Sequence, residues 1–216
     1  YINNNNDGWS GSAPAFQSYT DAEFYEKVFD TYQTISNMPK GVYALGLQAF
    51  CRPGTSQDGY KRWTENDAQC TDTKLYAKVG DDIFTKPIVT PYPEAGTEMV
   101  GVGTETAVTT TTGETIYIPN NMQGAEAYFV QADRYHNKVL FDVADSTVTI
   151  GLKNSTSVGG NWVLYDNWTL TYYGQGVDAY QAWLDDAASQ YTERTVAEGT
   201  LYTESYLPAY NAAVAA

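Results

Sequence analysis

Apolar and polar residues alternate most regularly between Asn137 and Gly174, and three strands are expected there. Val139, Phe141 and Val143 share one face of the first. Val148, Ile150 and Leu152 share one face of the second, with Thr147, Thr149 and Lys153 opposite. A period of two marks a strand with one face buried. Ala144-Asp145-Ser146 reads as a tight turn, and Asn154 to Gly160 as a longer polar loop with two glycines. In the third strand Trp162, Leu164, Asp166, Trp168, Leu170 and Tyr172 line up on one face. Asp166 then interrupts an apolar stripe, where a bare carboxylate is costly. Two readings follow: a strand-end Asp hydrogen-bonded to backbone, or a ligand of a structural calcium ion.

The same pattern continues upstream. Asp21 to Lys27 reads as a short strand, and Val28 to Ser36 alternates with Phe29, Thr31, Gln33 and Ile35 on one side. Pro39-Lys40-Gly41 is a turn signal, and Tyr43, Leu45, Leu47 and Ala49 alternate after it. These two runs predict a β-hairpin. A second hairpin is expected from Lys74–Val79 and Ile83–Val89 around Gly80-Asp81-Asp82. Tyr1 to Trp9 reads as the remnant of a first strand followed by an Asn-rich turn. Arg52 to Thr73 and Thr90 to Asn121 read as long polar loops, and Ala125 to Arg134 as a short helix. A loop the length of Arg52–Thr73 is functional or pinned by its cysteines. Beyond Gly174 the period lengthens. Val177, Tyr180, Trp183, Leu184, Ala187, Ala188 and Tyr191 predict an amphipathic helix, with a second from about Thr203. The expected organisation is a β domain over 1–174 and a helical extension, or the start of a neighbouring helical domain, over 175–216. The chain reads as a piece of a larger protein.

Composition narrows the class. The 216 residues carry 26 acidic against 12 basic side chains, a formal charge of −14. Nucleic acid and anionic membranes are therefore poor partners, and no apolar run is long enough for membrane insertion. Aromatics make up 14%, mostly the 19 tyrosines, and only 18% of residues are charged. That profile suits an all-β module whose place is secreted or on a cell surface. With one histidine, His136, there is neither a zinc pattern nor a Ser-His-Asp arrangement, and the expectation is a protein that is not an enzyme. Cys51 and Cys70 flank one loop. They are either two free thiols or a disulfide closing about 20 residues, worth roughly 3 kcal/mol in the chain-entropy model.

The succession GW…AEFY…FDTYQTI…PKGVYALGLQAFCR…LYA…TVTIGLK…WVLYDNWTLTYYG resembles a jelly-roll module of the galactose-binding-like type. Such carbohydrate-binding-module-like domains recur in large secreted and surface proteins of polysaccharide-degrading gut bacteria, beside glycoside hydrolase domains or helical spacers. The resemblance runs from Tyr1 to Gly174. It implies a mainly β fold, a two-sheet antiparallel jelly-roll β-sandwich with its N- and C-terminal strands adjacent, followed by the helical extension. It also implies one structural calcium, held by Asp166 with Glu23 as a second ligand, and partners that are a polysaccharide or glycan and other domains of the same polypeptide.

A sugar presents apolar C–H faces and many hydroxyls, so its site joins an aromatic platform to hydrogen-bonding side chains. The loop after Arg52 holds that set in Tyr60, Trp63, Arg52, Arg62 and Asp67, with Tyr92 and Trp162 expected at the same end. A structural spacer or adhesion module, its loop aromatics packed inward, is the alternative.

Overall fold

The computed structural model describes residues 6–16, 21–101, 103–144 and 146–189. Its strands are β1 (Ser10–Gly11), β2 (Ala15–Phe16), β3 (Ala22–Tyr25), β4 (Phe29–Ile35), β5 (Gly41–Arg52), β6 (Thr73–Val79), β7 (Asp82–Pro87), β8 (Thr106–Thr109), β9 (Thr115–Ile118), β10 (His136–Val143), β11 (Val148–Asn154) and β12 (Trp162–Gly174). One antiparallel sheet runs β1-β4-β11-β6-β7 and the other β10-β5-β12-β3-β2. Their inner faces meet over one core, to which Leu75 and Leu152 contribute from the first sheet and Phe24, Leu45 and Phe141 from the second. This is the expected two-sheet jelly-roll sandwich, with the N-terminal β3 beside the C-terminal β12.

The inward residues are those the alternation named. Val139, Phe141, Val143, Val148, Ile150 and Leu152 all lie in the core. The hairpin β6–β7 forms around Gly80-Asp81. The other expected hairpin does not. β4 pairs with β1 and β11, whereas β5 pairs with β10 through eight residues from Gly41 to Gln48. Between them Met38 is buried, and its N–H donates to the Ser146 carbonyl at 2.9 Å, so the chain crosses from one sheet to the other. A Pro-Lys-Gly turn reverses the chain but does not choose the partner. Long ladders and burial choose it, and β5 is buried at all twelve positions, a central strand rather than one arm of a hairpin.

The apolar stripe expected along β12 is broken. Val163 and Tyr165 point into the core, while Trp162 and Leu164 point to the outer face of their sheet. Asn167 takes a left-handed conformation (φ 54°), and after it Trp168 packs on the inner core instead. One left-handed residue shifts the alternation by a step.

Both segments expected as loops contain structure. The first folds into helix α1 (Ser56–Thr64) and a 3₁₀ turn over Ala68–Thr71; the second holds the β8–β9 hairpin. Helix α2 (Met122–Glu126) continues into a π turn over Ala127–Gln131. Together these lay Tyr128 and Phe129 over Phe50, Trp162 and Leu164, a second core on the outer face of the β5–β12 sheet.

The chain divides into two compact units, Tyr1–Tyr172 and Tyr173–Ala216. In the second, α3 (Val177–Ser189) is the amphipathic helix, and Tyr173 donates to Asp186 at 2.6 Å. The first strand expected before Asn6, the turn residue Asp145, the end of the helix beyond Ser189 and the helix from Thr203 lie outside the described residues. Among the described residues, no helix is long and apolar enough to cross a membrane.

Candidate functional site

Helix α1 exists because Thr55 caps it. The Thr55 side chain accepts from the Asp58 N–H and donates to the Asp58 carboxylate at 2.7 Å. The helix is then clamped to the β8–β9 hairpin. Gln57 donates to the Thr109 carbonyl at 2.9 Å and accepts from the Thr109 N–H at 3.1 Å. Tyr60 and Tyr92 are buried beneath with Val108, Ile116 and Ile118, forming a third small core. Tyr92 donates to the Ser56 carbonyl at 3.0 Å, and Tyr60 accepts from the Thr111 N–H at 3.3 Å. Burial pushes the Tyr92 phenol well above its ordinary value.

Trp63 sits half-buried at the edge of that core. Its ring stacks on Tyr92 at 5.8 Å and 30° and leans on Tyr60 at 5.7 Å. Beside it, in the chain, Arg62 donates to Asp67 at 2.9 Å and to Gln69 at 2.8 Å, while Asp67 also accepts the Gln69 N–H at 2.9 Å. The indole is backed by two rings, and the partly exposed Arg–Asp–Gln cluster starts at the adjacent residue in the chain, Arg62.

Four of the seven sugar-site residues expected from the sequence are sealed instead. Tyr60 and Tyr92 are the backing just described. Arg52 is 7% exposed; it donates to the carbonyls of Gly54 at 3.1 Å and Gly160 at 3.4 Å and to Asn120 at 3.0 Å. Its guanidinium lies 5.0 Å over Trp162, which is itself 4% exposed and donates to Glu23 at 2.6 Å. Arg52 and Trp162 therefore buckle the loop to the sandwich. Trp63, Arg62 and Asp67 remain partly exposed, the last two paired with each other. Gln69 was missed because its register with Arg62 depends on the 3₁₀ turn.

A second centre lies on the outer face of the β5–β12 sheet. In β3 and β12, Ala22 pairs with Tyr165 and Glu23 with Leu164, so one step further along the ladder sets Asp21 opposite Asp166. Asp21 is fully buried, and neither carboxylate oxygen has a hydrogen-bond partner. Burial, then the charges of Asp166, Glu126 and Glu23, raise its pKa to about 9. Glu126 is pushed up as well, by burial and by Asp166. Asp166 accepts its neighbour Asn167 N–H at 2.8 Å. Among the described residues, no three His, Cys, Asp or Glu side chains stand close enough to hold a metal as placed. What the centre has is a buried carboxyl group, kept protonated at neutral pH, with three acidic side chains acting on it. Asp21 was legible in principle, two residues before Glu23 on the same strand face. Glu126 was not, since only the packing of α2 brings it there.

Cys51 and Cys70 stand as free thiols rather than as the bridge that would have closed the loop. Cys51 is buried, accepting the Thr73 hydroxyl at 3.0 Å and the Asn161 amide at 3.5 Å. Burial pushes its thiol up to about 11, and burial with Asp67 raises Cys70. Both thiols stay protonated and slow at neutral pH. Alkylation of the native protein is expected to label the half-exposed Cys70 first and Cys51 only on unfolding, read by intact mass. Equal native rates would contradict the buried site.

No protein-family profile matches the chain, and no curated protein does. Among solved structures, the chain is similar to the xyloglucanase domain of NopAA, a type three effector from Sinorhizobium fredii, solved with cellobiose. Identity is 11%, over 77% of this chain and 94% of that one, with a TM-score of 0.22. A score that low establishes no common fold. The sites of this chain stand on their own geometry.

Proposed function

We propose that this chain is a non-catalytic carbohydrate-binding module that attaches a larger secreted or surface protein to a polysaccharide or glycan. The observation that carries the reading is Trp63, half-buried and stacked on Tyr92 at 5.8 Å, with the Arg62–Asp67–Gln69 cluster beside it. A pyranose stacks its C–H face on such a ring and directs its hydroxyls to the polar cluster. The one histidine, His136, is half in solvent and pairs with the exposed Asp133 at 2.8 Å. The test is retention on insoluble polysaccharides and a glycan array, wild type against Trp63→Ala. Retention lost in the variant, with an unchanged melt, is expected. Retention unchanged would remove Trp63 from the site.

One observation favours a second reading, that of a structural spacer. Tyr60 and Tyr92, two of the aromatics expected to face ligand, are spent on a small core. No retention of the wild type on any glycan would establish it.

The acidic centre supports a structural calcium ion. A hard cation taking oxygen ligands would offset the cost of ionising the buried Asp21. Asp21, Asp166, Glu126 and Glu23 are the acidic side chains of that region, and they would have to draw closer together to ligate it. The ion's part would be to fix β3, β12 and α2 to one another, not to react.

A further inference from the structure

We infer that the Trp63 site takes a neutral glycan, through a vicinal pair of hydroxyls, and rejects uronate and sulfated polymers; this rests on the sugar-binding reading and specifies its ligand. The two cations that precede Trp63 on its helix, Lys61 and Arg62, each have an acidic side chain in reach. Arg62 is paired with Asp67 at 2.9 Å, both about one-third exposed, and Lys61 faces Glu65 at 3.9 Å one helical turn on. The next arginine, Arg52, is buried under the loop with its donors spent on Gly54, Asn120 and Gly160. Asp58, on the same helix, is held by Thr55 and adds negative charge. A carboxylate or sulfate arriving here meets a guanidinium whose charge Asp67 already offsets, on a protein of formal charge −14.

A neutral diol fits what remains. The Gln69 side-chain oxygen accepts from Arg62, which leaves its amide N–H₂ as the donor available to a ligand. Asp67 accepts one bond on each oxygen, from Arg62 and from the Gln69 N–H, and each oxygen keeps a further lone pair. One sugar hydroxyl can then donate to Asp67 while its neighbour accepts from Gln69. That pairing needs adjacent hydroxyls and no charge. Asp67 cannot serve an anionic sugar, because two carboxylates would face one another.

The experiment is affinity electrophoresis of the whole chain. The gels would contain a neutral polymer (xyloglucan, galactomannan or arabinoxylan) or an acidic one (polygalacturonate or chondroitin sulfate). Each would be run at about 20 mM and about 300 mM salt, concentrations that straddle strong and weak screening. The expected result is retardation by at least one neutral polymer, equal at both salt concentrations, and none by the acidic ones. Asp67→Asn keeps the cap of the 3₁₀ turn, since Asn caps as well as Asp, but leaves Arg62 without its anion. It should weaken neutral binding about fivefold or more, the loss of one charge-assisted bond, and gain low-salt retardation by polygalacturonate. Gln69→Ala should weaken neutral binding alone. Salt-sensitive retardation of the wild type by an acidic polymer overturns the inference while leaving sugar binding intact. So does an Asp67→Asn variant that melts normally and binds as the wild type does. Absence of retardation by every polymer of both classes overturns the sugar-binding reading itself.

Discussion

Millimolar calcium is expected to raise the melting temperature of the wild-type chain and chelation to lower it, while Asp21→Asn should ignore both. Asp21 is the reason. It is fully buried without a partner for either oxygen, and Asp166, Glu126 and Glu23 all act on it. A cation bound only by the folded state, at about a hundred times its dissociation constant, stabilises by roughly 2.7 kcal/mol. For a chain of this size that is a shift of about 5–10 °C. The chelated protein should also respond to pH in a definite sense. The folded-state pKa of Asp21, about 9, lies above that of an unfolded Asp, roughly 3.9. Between those values the native state keeps a proton that the unfolded state has released, so stability falls as pH rises through the window. The Asn variant lacks that group; without calcium it should decline less and be the more stable protein near the alkaline end. Calcium competes with the proton, so its effect on the wild type should grow with pH. A wild type indifferent to calcium throughout, with the pH profile of Asp21→Asn, would sink the assignment.

Gly160→Ala should both destabilise the fold and remove glycan retention. Gly160 has φ +79°, and a Cβ there would lie 2.6 Å from the Thr55 nitrogen and 2.8 Å from the Gly54 carbonyl carbon. Both are backbone atoms, so no rotamer change relieves the contact. Left-handed strain costs about 1–2 kcal/mol for a residue with a Cβ, and forced packing adds about 1–3 kcal/mol. The segment pushed aside is the one that holds the proposed site. Thr55 caps α1, which carries Trp63, and Gly160 itself donates to Glu26 at 2.6 Å and accepts from Arg52. Gly80→Ala is the control. It too has positive φ, but nothing lies within 4 Å of the added atom, so about 1 kcal/mol and full retention are expected. Equal melting temperatures for the two variants would show that the loop does not press on Gly160.

The aromatic set shows where reading residues one at a time fails. Trp63, Tyr60, Tyr92 and Trp162 are equally suited to a sugar by type. Only burial separates them: three are core or backing, and one is left half in solvent. Burial of a loop aromatic depends on what folds over it, here the β8–β9 hairpin. That hairpin escaped notice because its strands are four residues each, of which only Val108, Ile116 and Ile118 are buried, set in a Thr-rich stretch. The acidic centre divides the same way. Asp166 was conspicuous as a charge on an apolar run, yet Asn167 ends that run, and the orphaned group proves to be Asp21 across the ladder.

By itself the sequence determined the strands and their inward faces, because a period of two is local and burial of one face follows from it. Val139 to Val143 and Val148 to Leu152 needed nothing else. It determined the acidic, aromatic-rich character and the amphipathic helix from Val177. The tertiary structure alone decided the rest: which strand pairs with which, that β4 and β5 part to opposite sheets, and which aromatics stay exposed. It also decided which acidic side chains act on the buried Asp21. Those outcomes depend on contacts between residues far apart in the chain, such as Asp21 with Asp166 or Gln57 with Thr109. No window on the sequence contains both partners, and the free energy that selects them is that of the whole packed sandwich.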